Sequence, residues 1–107
     1  MNEERIKHLR SFIREDPGNP FNKYSLAMEY YESDAQSSLE LLVSLMEEHP
    51  DYLPTYYKAA HLFWESEQWE KADTVFQKGM KLASDQQDQK TLNELKSSYQ
   101  NFLFEKD

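Results

Sequence analysis

The chain has 107 residues, 38% of them hydrophobic and 14% aromatic, with no cysteine and a formal net charge of −8 from 12 basic and 20 acidic side chains. That length suits one packed domain, and the apolar content excludes a globally disordered chain. Without cysteine there can be no disulfide framework, thiolate zinc site or cysteine nucleophile; an acidic surface repels phosphate backbones, which argues against nucleic acid as a partner.

The charge is uneven. Residues 17–52 hold one lysine and seven acids, whereas residues 1–16 and 53–84 each balance to zero. Such a surface suits a basic partner, although solubility alone would also account for it. The first residues, MNEERIKHLRSFIRED, contain no apolar run of signal-peptide length and carry acids that a transit peptide avoids. No stretch approaches the ~18 apolar residues of a membrane span. The expectation is a cytoplasmic protein without a membrane partner.

Taken in order, the chain reads as helices separated by strong breakers. The first covers residues 3–15, with Asn2 as N-cap, Glu3 and Glu4 in its first turn, and Ile6, Leu9, Phe12 and Ile13 as its buried stripe. Asp16-Pro17-Gly18-Asn19-Pro20 ends it, and Asn19 and Pro20 cap and open a second helix reaching Ser33. Asp34 caps a third, Ala35 to His49, closed by Pro50.

The stretch Leu53 to Ser84 carries the plainest pattern. Tyr56, Ala59, Ala60 and Phe63 form one helical stripe, a break falls near Glu67, and Ala72, Phe76 and Gly79 form a second stripe. Ala60 and Ala72 are small where two helices must approach, which predicts an antiparallel hairpin. A last helix, roughly Gln89 to Phe104 with Asp85 or Asp88 as cap, carries Leu92, Leu95, Tyr99, Phe102 and Leu103. It is predicted to cover the flank of Phe76 and Leu82.

The chain repeats itself. Lys23, Leu26, Ala27 and Tyr30 stand 33 residues before Tyr56, Ala59, Ala60 and Phe63, and Ser38, Leu42 and Leu45 stand 34 before Ala72, Phe76 and Gly79. Leu9, Phe12 and Pro17 lie 33 before Leu42, Leu45 and Pro50, so the first helix matches the second half of a repeat. The spacing follows an aromatic-x2-L-G-x2-Y then A-x3-F pattern, with Ala60 where glycine often stands and Ser84 where proline is expected. Over roughly residues 5–84 the chain therefore resembles the tetratricopeptide repeat family, and in particular small stand-alone bacterial proteins of that type. The resemblance implies an all-α fold, a short right-handed α-solenoid of antiparallel hairpins with about six helices. It would form a single domain over 1–107, comprising a half-repeat (1–16), two repeats (20–50 and 53–84) and a C-terminal cap (85–104).

Residues able to do chemistry are sparse. His8, His49 and His61 fall on three different helices. His61 and Glu65, at i and i+4, could share a divalent ion, but two ligands do not make a site and no H-E-x-x-H accompanies them. No serine stands in G-x-S-x-G, and glycine at positions 18 and 79 alone cannot build a phosphate-cradling loop. The expectation is a protein that is no enzyme and carries no cofactor or metal; a metal-binding or enzymatic role for His61 and Glu65 is the remote alternative.

In the family that this chain resembles, the first helix of each hairpin lines a concave ligand face. The resemblance thus implies binding residues Tyr24, Met28, Tyr31 and Glu32 in the first repeat, and Tyr57, Lys58, His61, Trp64 and Glu65 in the second. Tyr and Trp are frequent interaction hot spots; the competing expectation is that neighbouring helices cover these rings. Capture of an acidic chain terminus would require Lys and Asn where Tyr24 and Met28 stand, so an apolar or basic segment of a protein or peptide fits better. The function expected is that of an interaction scaffold. Assembly as a homodimer through the unpaired half-repeat, residues 1–16, is the alternative.

Overall fold

A computed structural model describes residues 2–106, and among these it contains six helices and no strand. They are α1 (Glu3–Glu15), α2 (Pro20–Tyr30), α3 (Ala35–Glu48), α4 (Pro54–Glu65), α5 (Trp69–Asp85) and α6 (Gln89–Lys106). The chain gathers into two compact units, residues 1–55 and 56–107, so that the boundary falls after Thr55, inside α4.

In the first unit the helix starts are set by short polar side chains. Asn2 Oδ1 accepts from the Arg5 amide at 3.0 Å, Asn19 Oδ1 from Phe21 at 3.0 Å, and Asp34 Oδ1 from Ser37 at 3.2 Å. Each satisfies an amide that the first helical turn leaves without a partner. Ile6 and Leu9 of α1 bury against Leu26 of α2, with Ile13, Tyr30 and Leu41 packed around them. Arg5 pairs with Glu29 at 2.9 Å and Arg10 donates to the Tyr30 hydroxyl at 2.8 Å, fastening the same two helices from outside.

Phe12 departs from the expected stripe, being 49% exposed. Ile6, Leu9 and Ile13 share a narrow arc of α1, and Phe12 falls about 60° outside it at 100° per residue. The second helix stops at Tyr30, short of Ser33. Tyr31 donates its amide to Met28 O and Asp34 donates to Tyr30 O at 2.7 Å, closing a tight turn that frees Asp34 to cap α3.

The two weakest matches of the first repeat have physical explanations. Ser38, fully buried where the second repeat has Ala72, donates its hydroxyl to the Ala27 carbonyl at 2.7 Å. A hydroxyl bonded in this way fits a close helix crossing without an unsatisfied polar atom. Lys23, in the place held later by Tyr56, reaches α3 to pair with Glu48 and to donate to Ser44 Oγ at 3.1 Å.

In the second unit the core is built around Phe76, which is fully buried. The rings of His61, Trp64, Tyr99 and Phe102 lie 5.8, 6.2, 5.6 and 5.3 Å from it, centroid to centroid. Tyr56, Ala59, Ala60, Phe63, Ala72 and Gly79 are all buried, as the two stripes predict. Gly79 is required by a close approach: a Cβ there would sit 2.8 Å from Tyr56 Cβ. α6 packs on α5 through Leu95, Tyr99 and Phe102, and Asp73 on α5 accepts from the Tyr99 hydroxyl at 2.7 Å and pairs with Lys106 at 3.4 Å.

Both turns of this unit are built alike. Glu67 and Gln87 take positive φ values of 60° and 59°. Gln68 N–H then reaches Phe63 O, and Asp88 N–H reaches Ala83 O, each at 2.9 Å, the paired bonds that end a helix in a left-handed residue.

Candidate binding surface

α4 carries two aromatic faces one residue apart in phase. Tyr56, Ala59, Ala60 and Phe63 are buried, which leaves Tyr57, His61, Trp64 and Glu65 on the adjoining face at i, i+4, i+7 and i+8. Their rings form a continuous row: Tyr57 to His61 is 4.5 Å and His61 to Trp64 is 5.4 Å between centroids. The row is half-buried and Glu65, at its end, is exposed.

The burial comes from α6. Ser98 Oγ lies 3.3 Å from His61 Nε2 and donates to the Tyr57 hydroxyl at 3.3 Å, while Phe102 meets the Trp64 ring edge-on at 5.5 Å. The last helix therefore covers part of this face as well as the Phe76 flank for which the sequence predicted it. Burial pulls the His61 pKa below its ordinary value, Lys58 adding to the effect and Glu65 opposing it. A neutral imidazole follows at pH 7, consistent with its place beside Ser98 and two rings.

At the Trp64 end the row opens into a pocket of about 410 Å³ lined by His61, Trp64, Glu65, Glu67, Trp69 and Glu105. Glu67 comes from the left-handed turn, Trp69 from the first residue of α5, and Glu105 from the last turn of α6. The sequence pointed to none of these three. A second tryptophan five residues after Trp64, just past a helix break, was the available sign; Glu105 had none, since its place depends on how α6 folds back. Lys58 is half-buried beside the row.

The residues expected on α2 lie in the first unit. Tyr24 is half-buried, its ring edge-on to Tyr52 at 5.8 Å, and burial raises the pKa of both hydroxyls, Tyr52 adding to the effect on Tyr24. Met28 is half-buried on the same helix, but α2 ends at Tyr30, so Tyr31, half-buried, and Glu32, exposed, fall in the turn beyond it and not on one helical face with Tyr24 and Met28. Among the described residues no group of three or more His, Asp or Glu is arranged to hold a metal ion, so His61 and Glu65 gain no further ligand. No helix among them is long and apolar enough to cross a membrane.

No family model matches the chain, and no curated protein matches it. Solved structures do. A solution structure of a tetratricopeptide repeat domain protein from Salinibacter ruber is 33% identical, with a TM-score of 0.75 over 81% of this chain and 89% of that one. A crystal structure of a tetratricopeptide repeat domain protein from the same organism is 30% identical, with a TM-score of 0.75 over 78% of this chain and 96% of that one. Repeat spacing, hairpin packing and these likenesses agree, and the chain belongs to the tetratricopeptide repeat family.

Proposed function

We propose that this protein is an interaction module that holds a segment of a partner protein against the Tyr57–His61–Trp64 face of α4. The observation that carries this reading is the row Tyr57–His61–Trp64, three rings left half-exposed beside the acidic Glu65 on a helix whose other face already supplies the core. Contiguous, partly exposed aromatics are the usual material of binding hot spots. Tyr24 and Met28 on α2, with Tyr31 and Glu32 in the turn after it, offer further contacts. The surrounding acids favour a basic or apolar segment over an acidic one. No catalytic step is part of this reading: the Ser98 hydroxyl beside His61 Nε2 donates to the Tyr57 hydroxyl and serves to hold α6 on α4.

The test is capture of a native partner by wild-type protein beside Tyr57→Ala and Trp64→Ala, with helicity of each variant checked. Loss of the partner in both variants is expected. Undiminished capture by both would remove α4 as the binding face.

A second reading, self-association through α1, is favoured by Phe12 and by Phe21 at the start of α2. These are 49% and 60% exposed and both belong to the first unit.

A further inference from the structure

The pocket at the end of α4 has a composition that selects its occupant. Two indoles, Trp64 and Trp69, and three carboxylates, Glu65, Glu67 and Glu105, line it together with His61. None of the three carboxylates takes part in an ion pair among the described residues, and cations close to them in sequence are committed elsewhere. Lys106 pairs with Asp73 at 3.4 Å, and Lys71 stands over the Phe63 ring at 5.9 Å from its centroid. Helix ends add to the field independently of the side chains. α4 ends at Glu65 and α6 at Lys106, so two carbonyl termini, each partially negative, meet here against the single amide terminus of α5 at Trp69.

We propose that this pocket receives the guanidinium group of an arginine side chain presented by the partner segment. This rests on the interaction-module reading above and deepens it by naming what the partner brings. Indole faces attract cations through their quadrupole, and carboxylates around the rim supply the charge that the chain itself leaves unmatched. A planar guanidinium can lie flat along an indole while its five N–H groups fork to more than one carboxylate, whereas a compact ammonium has three donors and no flat face to stack. A divalent metal is a poor occupant, because indoles do not ligate it and the carboxylates are not gathered around one point. The neutral imidazole of His61 adds no competing positive charge at pH 7.

The experiment titrates the full chain with a blocked Gly-Arg-Gly tripeptide, and with the same peptide carrying citrulline or lysine instead of arginine. The indole N–H resonances of Trp64 and Trp69 report the binding. The arginine peptide is expected to shift both resonances saturably and to bind about ten-fold more tightly than the citrulline peptide, which has the same shape without the charge. The triple variant Glu65→Gln/Glu67→Gln/Glu105→Gln changes exposed groups that hold no ion pair, and it should lose this preference. No shift with arginine, equal binding of citrulline, or an unchanged preference in the triple variant would overturn the cation site. Equal binding of lysine would overturn the choice of arginine.

Capture of a native partner separates this proposal from the one beneath it. A partner lost by Tyr57→Ala, which lies outside the pocket, but retained by the triple glutamine variant would sink the arginine pocket and leave the module reading standing. A partner retained by both Tyr57→Ala and Trp64→Ala would remove the module reading, whatever the tripeptides do.

Discussion

Gly79 shows how a single hydrogen can be the limiting dimension of a helix crossing. Helix propensity alone would favour alanine there by about 1 kcal/mol. The added methyl would meet Tyr56 Cβ at 2.8 Å and Leu95 Cδ1 at 3.3 Å; the Leu95 methyl can give way, but Tyr56 Cβ is fixed to its backbone and cannot. Gly79→Ala is therefore expected to lower stability by ~1–2 kcal/mol net, since overpacking outweighs the propensity gain; a higher denaturation midpoint would contradict the crossing described. His61 supplies a pH effect of definite sign. Its folded-state pKa lies below the unfolded value of about 6.5, so below that pH the unfolded chain binds the proton first. This stabilisation is complete above about pH 6.5 and is lost as pH falls through the folded value. Denaturant titrations at about pH 5 and about pH 7.5 should show a smaller difference for His61→Gln than for wild type. The carboxyl of Asp73, held low chiefly by the Gln77 amide with help from Tyr99 and Lys106, adds a separate loss only in the more acid carboxylate range. Residue by residue, the buried half of α4 was legible because Tyr56, Ala60 and Phe63 recur at helical spacing. The fate of Tyr57 and Trp64 was not, because spacing shows that a second aromatic face exists without showing which helix will lie on it.

Among the elements, the starts of α3 and α6 and that of α5 differ in one respect. Asp34 and Asp88 place a carboxylate oxygen on the amides of Ser37 and Thr91, at 3.2 and 3.0 Å, whereas Gln68, at the same point before α5, makes no side-chain capping bond. Gln68→Asp should supply that bond and raise stability by about 1 kcal/mol, read from a denaturant midpoint. No gain would mean that the backbone at Gln68, at φ −91° and ψ 72°, holds the side chain away from α5. Helix order and most boundaries could be read from the chain, because asparagine, aspartate and proline sit where caps require them. The end of α2 could not, since the Tyr31–Ser33 turn is set by two backbone hydrogen bonds with no glycine or proline to announce it. Lys23 and Ser38 looked like departures from the repeat, and they keep its geometry by other means, an ion pair and a carbonyl-bound hydroxyl.

For the molecule as a whole, self-association is the property on which the exposed phenylalanines bear. If α1 forms a contact between copies, sedimentation will show mass rising with concentration, and Phe12→Ser will abolish that rise while sparing the fold, because Phe12 contributes little to the Ile6–Leu9–Leu26 cluster. A constant monomer mass would discard this reading. The fold class was readable because a repeat states the same packing instruction more than once; the pocket was not, because its walls come from α4, the following turn, α5 and the far end of α6. That pocket has a spectroscopic consequence. The chain has two tryptophans, and both line it, so fluorescence excited selectively at tryptophan reports on the second unit and is blind to the first. Far-ultraviolet dichroism sees all six helices. Overlaying the two signals during unfolding is thus a built-in test of cooperativity: coincident curves mean that the units melt as one, and separated curves mean that a half-folded chain is populated.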